Sequence, residues 1–141
     1  MATTVETYRG TVYPWELDHM EHMNVRFYTA KFDEATFHLF AMIGLTPSYL
    51  RHENRGMAAV QQNITYRREL LAGDIVVIES RILEIGDRKL RFVHVMRNAE
   101  TMEEAATSEL LGVHIDRTAR KSCPFPQAVL AAGRSMIGNA A

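Results

Sequence analysis

The chain has 141 residues, 47% hydrophobic and 23% charged, the balance of a single globular domain with enough length to bury a core. A formal net charge of -1 excludes the basic excess that a nucleic-acid partner or an anionic membrane surface would call for. One cysteine, Cys123, excludes an internal disulfide and a multi-cysteine zinc site.

The opening residues, MATTVETYRG, lack the apolar core of a signal peptide, and no run approaches the roughly 20 apolar residues of a membrane span. A cytoplasmic protein with no membrane partner is expected. Residues 5–13, VETYRGTVY, are rich in β-formers and alternate loosely, which predicts a first strand. Pro14 ends it, because proline cannot donate to a ladder. An acidic stretch follows at 16–24, ELDHMEHMN, with Glu16, Asp18, Glu21, His19 and His22 in nine positions.

Residues 25–43 predict a long helix. Tyr28, Phe32, Ala35, Leu39 and Met42 recur at helical spacing, Asn24 stands ready as N-cap, and Gly44 is a natural stop. Phe27, Phe37 and Phe40 lie off that stripe, so a second surface, such as a partner subunit, is expected to cover the helix. TPSYLRHEN then predicts a short helix opened by Thr46 and Pro47.

From residue 57 the pattern becomes strand-like. Residues 57–66, 75–85, 89–98 and 105–115 predict four strands, joined through LLAGD, GDR and AETMEE. Three consecutive hairpin connections predict an antiparallel meander. PFPQAVLAAGR at 124–134 predicts a closing helix, and residues 135–141 a flexible tail. The whole reads as α+β: one domain over 1–134, with a five-stranded antiparallel sheet wrapped around one long helix.

That order, with the acidic loop between first strand and long helix, resembles the hotdog-fold acyl-CoA thioesterases of the 4-hydroxybenzoyl-CoA thioesterase type. Their aspartate loop, D-x-D-x-x-x-H-x-N-x-x-x-Y, stands here as Glu16, Asp18, His22, Asn24 and Tyr28. Two positions depart from it: glutamate replaces the first aspartate, and Glu21 stands where a glycine often precedes the histidine. YRRELLAGD at 66–74 resembles the family's entry into its third strand, and DRKLRF at 87–92 the hairpin before its fourth. The stretch from DHMEHMN to RKSCPFP is similar to thioesterases associated with carnitine and betaine degradation.

The resemblance implies hydrolysis of an acyl-CoA by a homodimer or homotetramer, with no cofactor and no metal. The residues offer no G-x-S-x-G elbow, and Cys123 has no histidine near it in sequence, which leaves a carboxylate as the reactive group. Asp18 is the candidate, as nucleophile or as general base. The family's pattern puts the oxyanion donor at the backbone N–H near Val25, where a helix start supplies unpaired N–H groups and a positive dipole end. His22 and Asn24 are expected to orient the aspartate or a water. Arg88 and Lys89, at a hairpin tip, are placed to reach the phosphates of coenzyme A.

Trp15 and Tyr66 are candidates to line an acyl pocket or to hold a quaternary ammonium over their rings. Tyr28, first a core residue by its place on the helix stripe, joins them as a substrate-binding candidate. Glu34 is a possible second carboxylate on the helix, against a plain solvated acid. His19 and His22 with the three acids have metal-binding chemistry but no H-E-x-x-H helix to arrange them. The alternative reading is a non-catalytic hotdog acyl-CoA binding or dimerisation protein, which the departures at Glu16 and Glu21 would favour.

Overall fold

The computed structural model describes residues 3–138. The chain runs β1 (Val5–Thr11), α1 (Val25–Met42), α2 (Pro47–His52), β2 (Arg55–Tyr66), β3 (Ile75–Ile85), β4 (Lys89–Asn98), β5 (Glu104–Asp116), β6 (Lys121–Ser122) and α3 (Gln127–Ile137). Every strand pairing is antiparallel, in the order β1-β3-β4-β5-β2. The sixth strand, two residues long and absent from the sequence reading, continues the ladder on β5 beyond Lys89. The long helix lies against β1, β3 and β4, as the α+β reading expects. No helix among the described residues is long and apolar enough to cross a membrane.

The expected four-strand meander is corrected. Hairpins join β3 to β4 and β4 to β5, but β2 pairs with β5 along its whole length and not with β3. The connection over residues 67–74 is a crossover that passes the end of the sheet. Arg67 and Arg68 N–H donate to Ala105 O, Met23 N–H donates to Leu70 O, and Val12 N–H donates to Asp74 O. A short polar turn between two alternating segments looks the same in sequence whether it closes a hairpin or crosses a sheet. The distant hydrogen bonds decide between them.

The apolar stripe of α1 buries Tyr28, Phe32, Ala35 and Leu39, as expected. Two details differ. Met42 is 47% exposed, and its expected place on the buried face is taken by Phe40 and Ile43. Lys31 is buried within the helix. Phe37, off the stripe, is 59% exposed. At the C-terminal end Gly44 takes a φ of 96°, where Leu45 N–H returns to Phe40 O and a residue with a Cβ would be strained. The closing helix α3 continues to Ile137, through residues 135–137 expected in the tail; Val129, Leu130 and the half-buried Met136 pull it onto the core. Residues 139–141 of that expected tail lie outside the described residues.

Two apolar clusters sit at the two ends of α1. One gathers Leu39, Phe40, Ile43, Ile82, Leu90 and Phe92; the other gathers Val12, Met23, Tyr28, Phe32, Leu70 and Ile78. A polar belt of four buried or half-buried side chains runs between helix and sheet. His94 Nε2 is 2.8 Å from Thr36 Oγ1 and its Nδ1 is 2.5 Å from Ser80 Oγ, which is 2.7 Å from Thr7 Oγ1. Thr36 Oγ1 lies 3.0 Å from Phe32 O and donates to it, so it accepts from the imidazole N–H. A neutral imidazole fits this chain when Ser80 donates to Nδ1 and Thr7 donates to Ser80.

Burial pushes the His94 pKa down to about 4. A histidine whose folded pKa lies below its unfolded value stabilises the fold above the unfolded value and loses that contribution as pH falls. Stability is therefore expected to drop between about pH 6.5 and pH 4, by about 3 kcal/mol in all from this group. Urea unfolding at a series of pH values checks it, and His94→Gln should flatten the curve. An equal slope in the wild type and the variant would remove His94 as the cause.

Candidate active site

The acidic stretch is a constructed loop. Residues Pro14–Glu16 form one 3-10 turn, and Leu17 bridges to Met23. Asp18 N–H donates to His22 O at 3.2 Å, Glu21 N–H to Asp18 O at 2.9 Å, and Asn24 N–H to Glu16 O at 2.9 Å. Glu21 takes a φ of 65°, a left-handed conformation that favours glycine. The residue that departs from the aspartate-loop pattern thus keeps the backbone form a glycine would adopt, and its side chain is exposed.

Glu16, the other departure, is buried. Its Oε1 accepts from Tyr13 N–H at 2.8 Å and its Oε2 from Lys31 Nζ at 2.8 Å. The side-chain exposures of this ion pair are 5% for Lys31 and 9% for Glu16. The extra methylene of glutamate serves reach: one carboxylate ties the loop's first turn to the second turn of α1.

Asp18 has both oxygens engaged. Met20 N–H donates to Oδ1 at 2.9 Å and Asn24 Nδ2 donates to Oδ2 at 2.7 Å. The Asn24 amide, then the Met20 N–H, hold the Asp18 carboxyl below the usual carboxylate range. Asn24 Oδ1 meanwhile accepts from Arg26 N–H at 3.0 Å, capping α1. One side chain therefore links the carboxylate to the helix start. Val25 is the first residue of that helix, so its N–H has no intrahelical acceptor.

His22 Nε2 lies 3.6 Å from Glu69 Oε2, and its buried Nδ1 has no hydrogen-bond partner among the described residues. Beside it opens a pocket of ≈ 250 Å³ whose lining includes His22, Val25, Tyr28, Tyr66, Arg68 and Glu69. Tyr28 is buried, its ring edge-to-face with Tyr66 at 5.1 Å. Its hydroxyl, pushed up to about 12 by burial, is a neutral donor to Arg68 O at 3.1 Å.

The structure thus brings together Asp18, His22, Asn24, Val25, Tyr28 and Tyr66. Trp15 stands apart, 72% exposed and stacked on Tyr13 at 4.4 Å. Arg88 and Lys89 are not brought to the loop within one chain. They follow the far end of β3, whose 11 residues span roughly 33 Å. Arg88 Nη1 there donates to Ser122 O at 2.8 Å, and both cations line a separate pocket of ≈ 400 Å³. Glu34 is exposed on α1. Sequence reasoning missed Lys31, Arg67, Arg68 and Glu69 as neighbours of the loop. The YRRE run at 66–69 is visible as a motif, but its side of the sheet is set by the crossover.

The family model described as the thioesterase-like superfamily matches residues 12–133. The chain belongs to this superfamily. Among thioesterase-like relatives, the bifunctional L-carnitine dehydrogenase/betainyl-CoA thioesterase of Agrobacterium fabrum is 31% identical over 116 residues, 82% of this chain. The chain spans only 24% of that relative's length. The betainyl-CoA thioesterase of Pseudomonas aeruginosa is 25% identical over 131 residues, covering 93% of this chain and 82% of the relative. The resemblance read from the aspartate loop is therefore borne out, and the matched relatives include ones named for betainyl-CoA.

Solved structures share the fold. A Staphylococcus aureus protein in complex with coenzyme A superposes with a TM-score of 0.90 at 20% identity, over 99% of this chain and 88% of that one. The 1,4-dihydroxy-2-naphthoyl-CoA thioesterase of Synechocystis gives 0.82 at 18% identity, over 94% and 97%. The sheet curled round one long helix is the hotdog fold.

Proposed function

We propose that this protein hydrolyses an acyl-CoA thioester to a carboxylic acid and coenzyme A, with Asp18 as the reactive carboxylate. The observation that carries this is the Asn24 side chain, which binds Asp18 Oδ2 at 2.7 Å while capping the helix that begins at Val25. Carboxylate and helix start are held to one another by a single residue. The relatives named for betainyl-CoA supply the acyl group of this reading.

The thioester carbonyl would accept from the Val25 N–H, where the helix dipole favours developing negative charge. Asp18, kept ionised by its two donors, then attacks the carbonyl carbon to give an anhydride that water opens, or takes a proton from the attacking water. In either course the electron pair of the broken C–S bond leaves on sulfur. His22, next to Glu69, is positioned to steer the water. Arg88 and Lys89, at the far end of β3, would serve the coenzyme's phosphates across a subunit boundary.

A second copy of the chain fits the exposed surfaces. The 12-residue edge strand β2 carries Val60 at 58% and Tyr66 at 46% exposure, and Phe37 is exposed on α1. Unpaired edge groups beside apolar side chains favour a homodimer with the site near its boundary; light scattering of the purified protein reads the mass.

Release of free thiol from a panel of short, branched, aromatic and betainyl CoA thioesters tests the activity. Turnover of at least one supports it, and none from any member overturns it. Within that assay Asn24→Ala carries its own expectation. It removes the cap, at a cost of about 1 kcal/mol, and frees Asp18 to titrate nearer its ordinary value. A lower melting temperature, and an acid limb of kcat/KM shifted to higher pH, are expected together. An unmoved acid limb would separate Asn24 from Asp18.

A further inference from the structure

We infer that the pocket at the start of α1 is a subsite for a quaternary ammonium acyl group, with Tyr66 and Glu69 as its specificity-determining residues. This rests on the proposed thioester hydrolysis at Asp18 and Val25.

Geometry restricts where such a cation can sit. In a betainyl thioester the nitrogen is two bonds, about 2.5 Å, from the carbonyl carbon. With the carbonyl on the Val25 N–H, the ammonium must lie in the pocket that Val25 itself lines. The chain holds a second cavity with a carboxylate and aromatic rings, ≈ 180 Å³, bordered by Asp33, Phe37, Phe40 and Phe92 between α1 and the β2–β5 side of the sheet. Asp33 is eight residues along the helix from Val25, about 12 Å. That cavity suits the far end of a long acyl chain and lies out of reach of a betainyl head.

Charge then selects among the residues that line the nearer pocket. Arg67 and Arg68 would repel a cation, but both guanidiniums are turned to carboxylates of β5 and the turn before it. Arg68 Nε lies 2.7 Å from Glu103 and Arg67 Nε lies 3.4 Å from Glu104. Glu69, by contrast, has only the His22 ring near it among the charged contacts of the described residues, at 3.6 Å. Glu69 is thus the carboxylate that lines the pocket, and the carboxylates that engage Arg67 and Arg68 lie outside its lining.

The ring is held in place as well. Tyr66 is 46% exposed, yet the buried Tyr28 fixes it edge-to-face, with interplanar angle 88°. A trimethylammonium group cannot donate a conventional N–H hydrogen bond, so it is recognised by an aromatic face and by a carboxylate at longer range. Tyr66 and Glu69 provide one of each, Tyr66 at the end of β2 and Glu69 three residues on in the crossover.

The test compares betainyl-CoA with 3,3-dimethylbutyryl-CoA, which has the same shape with carbon in place of nitrogen. The wild type should prefer betainyl-CoA in kcat/KM by about tenfold or more, and Glu69→Gln and Tyr66→Leu should each cut that ratio by about three- to tenfold. Both side chains are exposed, so a melting curve confirms that the variants fold. Equal use of the two thioesters by the wild type, or a ratio unmoved in both variants, overturns the subsite and leaves thioester hydrolysis standing. Turnover of long apolar thioesters alone does the same, and points to the Asp33 cavity instead. No turnover of any thioester overturns the proposed hydrolysis, and the subsite with it.

Discussion

Replacing Asp18 by asparagine is expected to lower kcat for thioester hydrolysis at least about a hundredfold, the usual scale for removing a catalytic acid or base. The change is nearly isosteric, but asparagine has one acceptor oxygen where aspartate has two. The loop points two donors at this side chain, Met20 N–H and Asn24 Nδ2, so one of them must face an amide NH₂. A modest drop in melting temperature is therefore expected as well. The loss should fall on kcat more than on KM, because the pocket beside Val25 is untouched. The acid limb of the wild-type profile should lie below the usual carboxylate range, since both donors favour the ionised form. Activity within tenfold of the wild type in the asparagine variant would overturn Asp18 as the reactive group.

The largest effect on stability is expected from Lys31→Met. The variant strands the Glu16 carboxylate in the position where it is now paired at 2.8 Å and nearly inaccessible. Removing one partner of a buried ion pair costs about 3–5 kcal/mol, because the remaining charge keeps its desolvation penalty and loses its compensation. Lys31 also sits 5.7 Å from the Tyr8 ring, a contact methionine partly replaces by packing. The double variant Glu16→Leu/Lys31→Met removes both charges and should recover a large part of the loss. It also deprives Tyr13 N–H of its acceptor, so recovery stays incomplete. Urea unfolding of the three proteins reads this directly. A single variant costing under about 1 kcal/mol would mean that water or another group solvates Glu16.

This pair also separates two kinds of departure from a family pattern. Glu16 and Glu21 both raised the alternative of a non-catalytic module. Glu16 proves to be an anchor whose length spans from the loop's first turn to α1. Glu21 holds the left-handed turn with its side chain outside. Neither disturbs the hydrogen bonds at Asp18.

Features set by neighbours in the chain were legible in the residues alone. The stripe Tyr28, Phe32, Ala35 and Leu39 defines α1 because helical burial repeats every three to four positions. Asn24 reads as a cap because an N-cap bonds a backbone N–H only two residues on. The loop's spacing from Glu16 to Tyr28 is local in the same way, and so is its place between a strand and a helix.

What the tertiary structure decided depends on contacts between distant residues. The crossover over residues 67–74 is set by hydrogen bonds to Ala105, Met23 and Val12, and no period in the sequence encodes them. It moves β2 to the far edge, brings Tyr66 and Glu69 beside Val25, and leaves Arg88 and Lys89 at the other end of β3. The burial of Lys31 is equally invisible, because a lysine on a helix is ordinarily a surface charge until a partner such as Glu16 is folded against it. Local periodicity and spacing name the elements and the acidic loop. Which side chains surround that loop is settled by strand order, and strand order is a long-range property of the chain.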